Sequence, residues 1–354
     1  MFKMLYVDVL CPTGHKVFNS LTISALISLD AEIRIVGDER CLPENTIIAY
    51  RIPSKYLMKR KSGGLSKLTY RINEYQKLRW LVKVIEKEHP DLVILSSYET
   101  ISLSIVSRRL KIPVLAFNHN NLDELESKLK KFFYRRMGGS VTQVVFENYM
   151  ADYLKEAIKV RNKVIVLPHI VEPEKQLQPH PQFSNANSKF LFAPSSSNDL
   201  TVIEDLLKRA HELKAKGIKL VAKYRENVDR DALVFRKRFS DEEYVSFLRS
   251  CFAVYVPLPR HFNYRISNVV NEAIANNKKI IISNNRFSEF ISSKYPSLVY
   301  VLKSDLLEEA NEWKKWIRES SDSYEKERQS FLNNHSAEKF AEDMVAELPM
   351  LDSK

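Results

Sequence analysis

The sequence predicts an α/β protein made of two doubly wound, mostly parallel sheets. Short apolar, β-branched runs (Glu32–Val36, Leu92–Leu95, Val114–Phe117, Val141–Phe146, Ile280–Ile282) alternate with segments of helical spacing. The length of 354 residues suits two ordinary domains. A stretch rich in Pro, Gln, Asn and His, Glu172 to Ser188, separates two such series and reads as a linker. The expected organisation is a first domain over 1–172, a linker over 173–188, a second domain over 189–330 and a C-terminal helical segment over 331–354.

In chain order, Phe2–Leu10 is a buried first strand, followed by the loop Cys11-Pro-Thr-Gly-His15 and a helix over Val17–Leu29. Glu32–Val36 and Thr46–Ile52 are the next strands, and Lys55–Leu65, with Lys59-Arg60-Lys61, reads as a basic loop. A long helix over Ser66–Glu88 stops before Pro90. The strand Leu92–Leu95 then delivers Ser96-Ser97-Tyr98-Glu99, and Val114–Phe117 delivers Asn118-His119-Asn120-Asn121. Glu126–Gly139 carries Lys128, Lys130, Lys131, Arg135 and Arg136 around Leu129, Phe132, Phe133 and Met137. That pattern predicts a basic amphipathic helix, and residues 127–139 could meet an anionic membrane surface. In the second domain, Phe190–Phe192 precedes a loop holding Ser196, and the helix Leu200–Lys216 closes on Gly217, a C-cap signal. Lys219–Ala222 brings Lys223, Tyr224 and Arg225 to a strand end.

Composition narrows the chemistry. Three cysteines, Cys11, Cys41 and Cys251, lack disulfide or metal spacing, so no metal and no cofactor are expected. No run reaches the roughly 18–20 apolar residues of a membrane span, which predicts a cytoplasmic protein, soluble or peripheral on the inner face of the plasma membrane. The net charge of +11 attracts anions of any kind. Seven glycines and neither a P-loop nor a dinucleotide fingerprint exclude a glycine-rich phosphate cradle. Nucleic-acid motifs are absent and the basic residues are dispersed, so nucleic acid is not an expected partner.

The most informative stretch is Val254–Glu289. An apolar run, Phe252–Leu258, leads into the polar loop Arg260–Asn268, a helix carrying Val269, Val270, Ala273 and Ile274, and the strand Ile280–Ile282. Such βαβ units bind ligands beyond the carboxyl ends of their strands, where a helix N-terminus offers N–H groups to phosphate. Arg265, Ser267 and Asn268 lie at that end, with Glu272 one turn into the helix. Cations and N–H groups suit a pyrophosphate, and a carboxylate suits ribose hydroxyls.

Val270-Asn271-Glu272-Ala273-Ile274-Ala275-Asn276-Asn277-Lys278-Lys279-Ile280-Ile281 resembles the signature helix of GT-B-fold glycosyltransferases, especially the retaining Glu-x7-Glu family (glycosyltransferase family 4-like). Glu272 falls on the family's second glutamate; Tyr264 stands where the first would be, and Asn277-Lys278-Lys279 replaces a Gly-x-Pro turn. The resemblance implies two Rossmann-like domains facing across a cleft, with the C-terminal helix crossing back to the first. It implies a nucleoside diphosphate sugar donor, UDP- or GDP-linked, held in the second domain by Glu272, Arg265, Lys223, Arg225, Ser196, Tyr264, Ser267 and Asn268. A glycan or polyprenyl-linked acceptor, for bacterial surface polysaccharide, would occupy the first domain near Glu99 and Asn118. His119 resembles the histidine that touches the donor sugar, and Gly14-His15 the Gly-His of inverting members, whose histidine activates the acceptor hydroxyl. Metal-independent transfer with retention is the preferred expectation, inversion if His15 is the base. A sugar-nucleotide 2-epimerase and a non-catalytic polyanion-binding scaffold of degenerate GT-B fold are the alternatives.

Overall fold

The computed structural model describes residues 1–10, 15–57, 64–172, 190–230, 232–319 and 322–348, with the backbone alone at 64–67. The expected linker, and Lys59-Arg60-Lys61 with the loop before His15, lie outside the described residues. The chain divides into two compact units, 1–170 with 335–354, and 171–334.

In chain order the first unit contains β1 (Phe2–Asp8), α1 (Lys16–Ile27), β2 (Ala31–Gly37), β3 (Tyr50–Arg51), α2 (Gly64–Glu88), β4 (Leu92–Ser97), α3 (Thr100–Val106), β5 (Val114–Phe117), α4 (Lys128–Tyr134), β6 (Val141–Val145), α5 (Asn148–Asp152) and β7 (Val164–Val166). Its strands form one parallel sheet in the order β3-β2-β1-β4-β5-β6-β7. The central strands are mostly apolar because helices cover both faces. Every residue of β4 and β5 is buried. The order reverses between β1 and β4, so the loops after those two strands diverge and leave a crevice at their carboxyl ends.

The second unit contains β8 (Phe190–Ala193), α6 (Leu200–Lys208), α7 (Ala210–Ala215), β9 (Lys219–Lys223), β10 (Val228–Arg230), β11 (Leu233–Arg236), α8 (Asp241–Ser250), β12 (Ala253–Val256), α9 (Asn268–Ala275), β13 (Ile280–Ser283), α10 (Arg286–Lys294), β14 (Val299–Leu302), α11 (Ala310–Arg318) and α12 (Asp322–Asn334). Its sheet runs β10-β11-β9-β8-β12-β13-β14, parallel except at the β10–β11 hairpin, with its own reversal between β8 and β12. Two apolar clusters sandwich it, one around Phe192, Phe247, Val256 and Phe287, the other around Leu220, Phe235, Tyr255 and Trp313. The last helix, α13 (Ala337–Glu347), belongs to the first unit and packs on α1. Phe340 lies 6.3 Å from Phe117, and Lys163 pairs with Glu347 at 2.9 Å.

Several expected elements differ in extent. The strand expected over Thr46–Ile52 shrinks to Tyr50–Arg51, because Pro43 and a left-handed Asn45 (φ 66°) hold the preceding segment in turns. The helix expected over Leu200–Lys216 breaks at Arg209, whose guanidinium bonds Asp205, Glu212 and Asp305. Gly217 caps the broken pair in the left-handed region (φ 62°), as its position predicts. The edge hairpin β10–β11 carries no turn signal the sequence reading used.

The basic helix expected over Glu126–Gly139 is only seven residues, Lys128–Tyr134. A 3₁₀ turn over Asp123–Glu126 precedes it, and the chain after it closes down on α3 at Gly138. Gly138 donates its N–H to the Ser107 hydroxyl at 2.9 Å, and a Cβ there would run into the Ser107 carbonyl. Because that neighbour is backbone rather than a flexible side chain, Gly138→Ala is expected to cost about 1–3 kcal/mol of unfolding free energy, measured by denaturant titration.

Candidate functional site

In the first unit the reversal point is built around a buried carboxylate. Asp8, the last residue of β1, is fully buried. It accepts from the Ser97 hydroxyl (2.5 Å) at the end of β4, from Asn19 Nδ2 (2.7 Å) on α1, and from the Leu10 N–H (3.1 Å). Asn19 also donates to the Cys41 carbonyl and accepts from the Tyr6 hydroxyl, so two strands, a helix and a loop converge on one group. Asp8 and Asn19 escaped the sequence reading; the available signal was a lone acid inside the apolar run Phe2–Leu10.

Above this group a cavity of about 130 Å³ opens. Its lining includes His15, Tyr70, Arg71, Glu99, His119 and Lys130. The structure therefore brings His15, His119 and Glu99 together, and adds Tyr70 and Arg71 of α2 and Lys130 of α4. Two cations face two acids: Arg71 stands 4.0 Å from Glu99, and Lys130 pairs with Glu124. Glu99 also caps α3, accepting from the Ser102 N–H and hydroxyl, which fixes its carboxylate at the rim.

The two histidines form one unit. Their rings stack with centroids 4.1 Å apart and 17° between planes, and Phe18 packs edge-on to His119 at 4.6 Å. His119 Nε2–H donates to the Ser96 carbonyl at 2.9 Å, which fixes the tautomer and leaves Nδ1 as the acceptor. Burial pushes the His119 pKa well down, and its neighbours His15 and His169 push the same way. Burial lowers His15 as well, while Asp8 opposes that shift. Among the described residues the buried His15 Nδ1 has no hydrogen-bond partner. Near neutral pH both rings are uncharged, the state a base or a hydrogen-bond acceptor requires. Asn118 does not line the cavity. It is fully buried, with its amide engaged by Tyr98, Tyr134, Gln143 and the Val144 carbonyl, and it supports the floor.

In the second unit the predicted residues gather along the carboxyl edge. Ser196 lies exposed in the turn after β8, Lys223 ends β9, and the loop after β12 carries Tyr264, Arg265 and Ser267. The loops after β8 and β12 are tied by the Asp199 N–H donating to the Pro257 carbonyl at 2.6 Å. Arg265 sits over the buried Phe262 ring at 4.7 Å, and Arg286 over Tyr264 at 5.3 Å. Helix α9 opens at Ser267 without a side-chain cap, so its positive dipole end is not neutralised by its own cap residue. Glu272 accepts from the Tyr244 hydroxyl, a partner on α8 that no motif announces. Arg225 points elsewhere: it is exposed, pairs with Glu204 and leans on Tyr224, an arrangement local to the β8–β9 edge. Among the described residues no group of three or more His, Cys, Asp or Glu could hold a metal ion, and no helix is long and apolar enough to cross a membrane.

Two seven-stranded sheets with central reversals and helices on both faces define the GT-B architecture of paired Rossmann-like domains. Residues 23–175 match the family described as Glycosyltransferase Family 4. The fold is similar to sucrose-phosphate synthase from Thermosynechococcus elongatus, at 12% identity and a TM-score of 0.68 over 100% of both chains. It is similar to α,α-trehalose-phosphate synthase (UDP-forming) from Burkholderia vietnamiensis, at 12% identity and a TM-score of 0.66 over 98% of this chain and 100% of that one. UDP-GlcNAc 2-epimerase from Methanocaldococcus jannaschii gives 12% identity and a TM-score of 0.59 over 98% and 100%. No curated protein matches the sequence. At 12% identity these neighbours share the fold, and the family match over residues 23–175 is to glycosyltransferases.

The buried histidines make a pH prediction. His169, lowered to about 3 by burial with His335 adding to the shift, stays neutral in the folded state while its unfolded counterpart protonates below its ordinary value of 6.5. The folded pKa is depressed for a base, so stability is lost as pH falls below about 6.5. Relative to wild type, His169→Gln should gain up to about 1.4 kcal/mol per pH unit between about pH 6 and 4, read by denaturant unfolding at each pH.

Proposed function

We propose that this chain transfers a glycosyl group from a nucleoside diphosphate sugar to a hydroxyl of a glycan or lipid-linked acceptor. The supporting observation is the stacked, neutral His15–His119 pair lining a polar cavity at the reversal point of the first sheet. In this reading the cavity takes the acceptor, with Glu99 and Arg71 receiving its hydroxyls. The donor lies at the carboxyl edge of the second sheet. The uncapped start of α9, Arg265 and Lys223 face the diphosphate, Ser196, Ser267 and Asn268 give it hydrogen bonds, and Glu272 holds the ribose. Cations fixed around the leaving group stabilise the charge it gains without a metal ion. The bond from the anomeric carbon to the diphosphate oxygen breaks as a bond to the acceptor oxygen forms. The Family 4 match and the position of Glu272 support retention, in which the departing diphosphate oxygen takes the acceptor's proton. Assembly of a bacterial surface polysaccharide on the cytoplasmic side of the membrane is the setting this acceptor class favours.

Inversion is the second reading, favoured by two observations. The His15 Nδ1, buried at the cavity, has no partner among the described residues, and Tyr264 stands in place of a glutamate. Here His15 takes the acceptor proton as general base. Product anomeric configuration, read by proton NMR, separates the two. With retention, His15→Asn should leave the acidic limb of the pH–kcat/KM profile in place; with inversion it should remove that limb and lower kcat about 10²–10⁴-fold.

Donor binding is tested by thermal shift with UDP, GDP, dTDP, CMP and ADP. A nucleotide at 100 times its Kd should add about 2.7 kcal/mol to stability, and Glu272→Ala should weaken that response. No shift with any of them would overturn the donor site and leave a binding scaffold as the better reading.

A further inference from the structure

Helices α2, α3 and α4 lie side by side on one face of the first sheet. They are joined by the Ser102 hydroxyl donating to the Arg71 carbonyl (3.3 Å) and the Ser104 hydroxyl donating to the Phe133 carbonyl (2.6 Å). Among the described residues ten large apolar side chains are exposed, and five of them belong to these three helices: Leu68 (57%), Ile72 (49%), Ile105 (43%), Leu129 (50%) and Phe132 (49%). Helix α2 runs antiparallel to the strands, so its first turns, with Leu68 and Ile72, lie at the sheet's carboxyl edge. Helices α3 and α4 begin at that edge. Leu68, Ile72 and Leu129 therefore lie toward that edge, with Ile105 and Phe132 about a turn further along the same three-helix surface, whose α2 and α4 also carry the cavity residues Arg71 and Lys130. A monomer rarely leaves so much apolar surface in one place without a use for it.

Exposed cations surround them: Arg108 and Arg109 after α3, Lys128 on α4, and Arg135 and Arg136 after it. Arg136 stacks on Phe132 at 3.6 Å, so charge and ring are presented together. Glu126, just before α4, is the exposed acid nearest in sequence, and the partly buried Glu124 already pairs with Lys130. Apolar side chains that reach acyl chains, ringed by arginine and lysine at headgroup depth, fit the surface of a bilayer rich in anionic phospholipid. An apolar protein partner would not require five cations, and a nucleic acid would not use five exposed aliphatic and aromatic side chains.

We propose that the α2–α4 face docks on anionic lipid bilayers, with Leu68, Ile72, Ile105, Leu129 and Phe132 entering the interface and the arginines engaging phosphate headgroups. The inference stands on this surface alone and does not depend on the transferase reading. It enlarges the contact expected from residues 127–139, because α4 by itself is too short to hold a membrane.

Vesicle flotation with the full chain tests it. At about 0.15 M salt, vesicles of phosphatidylcholine with about 30 mol % phosphatidylglycerol should bind more than about tenfold better than pure phosphatidylcholine, since each Lys or Arg at such a surface multiplies binding roughly fivefold. The double variant Leu129→Ser/Phe132→Ser should lose about tenfold or more with an unchanged melting temperature, both sites being surface positions. Ile27→Ser, 68% exposed on α1, should bind as wild type does. Failure to float with the anionic vesicles would overturn the proposal. So would equal binding by the double variant, or displacement of wild type and variant alike by duplex DNA, which marks general polyanion attraction.

Discussion

The first unit depends on one buried carboxylate. Among the described residues Asp8 has no cation within hydrogen-bonding distance; it is held by a hydroxyl of β4, an amide of α1 and the backbone N–H of Leu10. A charge taken out of water costs several kcal/mol unless such donors replace its hydration, and all three must be present together. That requirement fixes the ends of β1 and β4, the first turns of α1 and the loop at Cys41 relative to one another. The cavity exists because those ends are held apart at the reversal of strand order. Fold and cavity are therefore consequences of the same hydrogen bonds.

A second buried pair supports the same loop from α2. Lys77, fully buried, donates to the Val9 carbonyl at 2.5 Å and to Glu74 at 2.7 Å. Burial lifts Glu74 to about 7 against the pull of Lys77, with Glu99 and Asp8 adding to the lift. Three acids thus crowd the cavity side of the sheet, and one of them sits near its midpoint at neutral pH. Placed against this acidic ground, the stacked histidines keep their rings neutral through burial, and the acid nearest His15 counters only part of that effect. Burial dominates because Phe18 and Phe146 pack on the His119 ring, with Phe117 behind Phe18, leaving little water to solvate an imidazolium.

Much of the fold was legible because the buried parallel strands are mostly apolar and some helices have a stop signal. Pro90 after α2 and Gly217 after α7 are such stops, and both helices end beside them. Two of the failures occur where contacts across the fold override local pattern, while the shortened third strand follows from the local turn at Asn45. Arg209 breaks a helix through Asp305, a partner 96 residues away. The close packing of Gly138 on Ser107 stops the basic helix, and no periodicity encodes it. The histidines, Glu99 and the α9 residues were readable because strand ends advertise them. Asp8, Arg71 and Tyr244 were not, because each acquires its place only when a distant element arrives.

The missing glycines show how the same geometry is reached by other chemistry. Where the related signature has Gly, Asn277 takes the left-handed conformation (φ 58°), which asparagine tolerates better than most residues. Its N–H bonds the Ile274 carbonyl and the Lys278 N–H bonds the Ala273 carbonyl, the two bonds that close a Schellman end on α9. In the turn after β8, Ser195 accepts from the Ser197 N–H and Asn198 holds the Ala193 carbonyl, so polar side chains shape a loop that glycine would otherwise leave flexible. Side chains occupy space that a bare backbone would yield to a phosphate, so an edge built this way must rely on cations and a helix end for anions. Arg265, already stacked on Phe262, gives up less freedom on meeting an anion than a solvated arginine would.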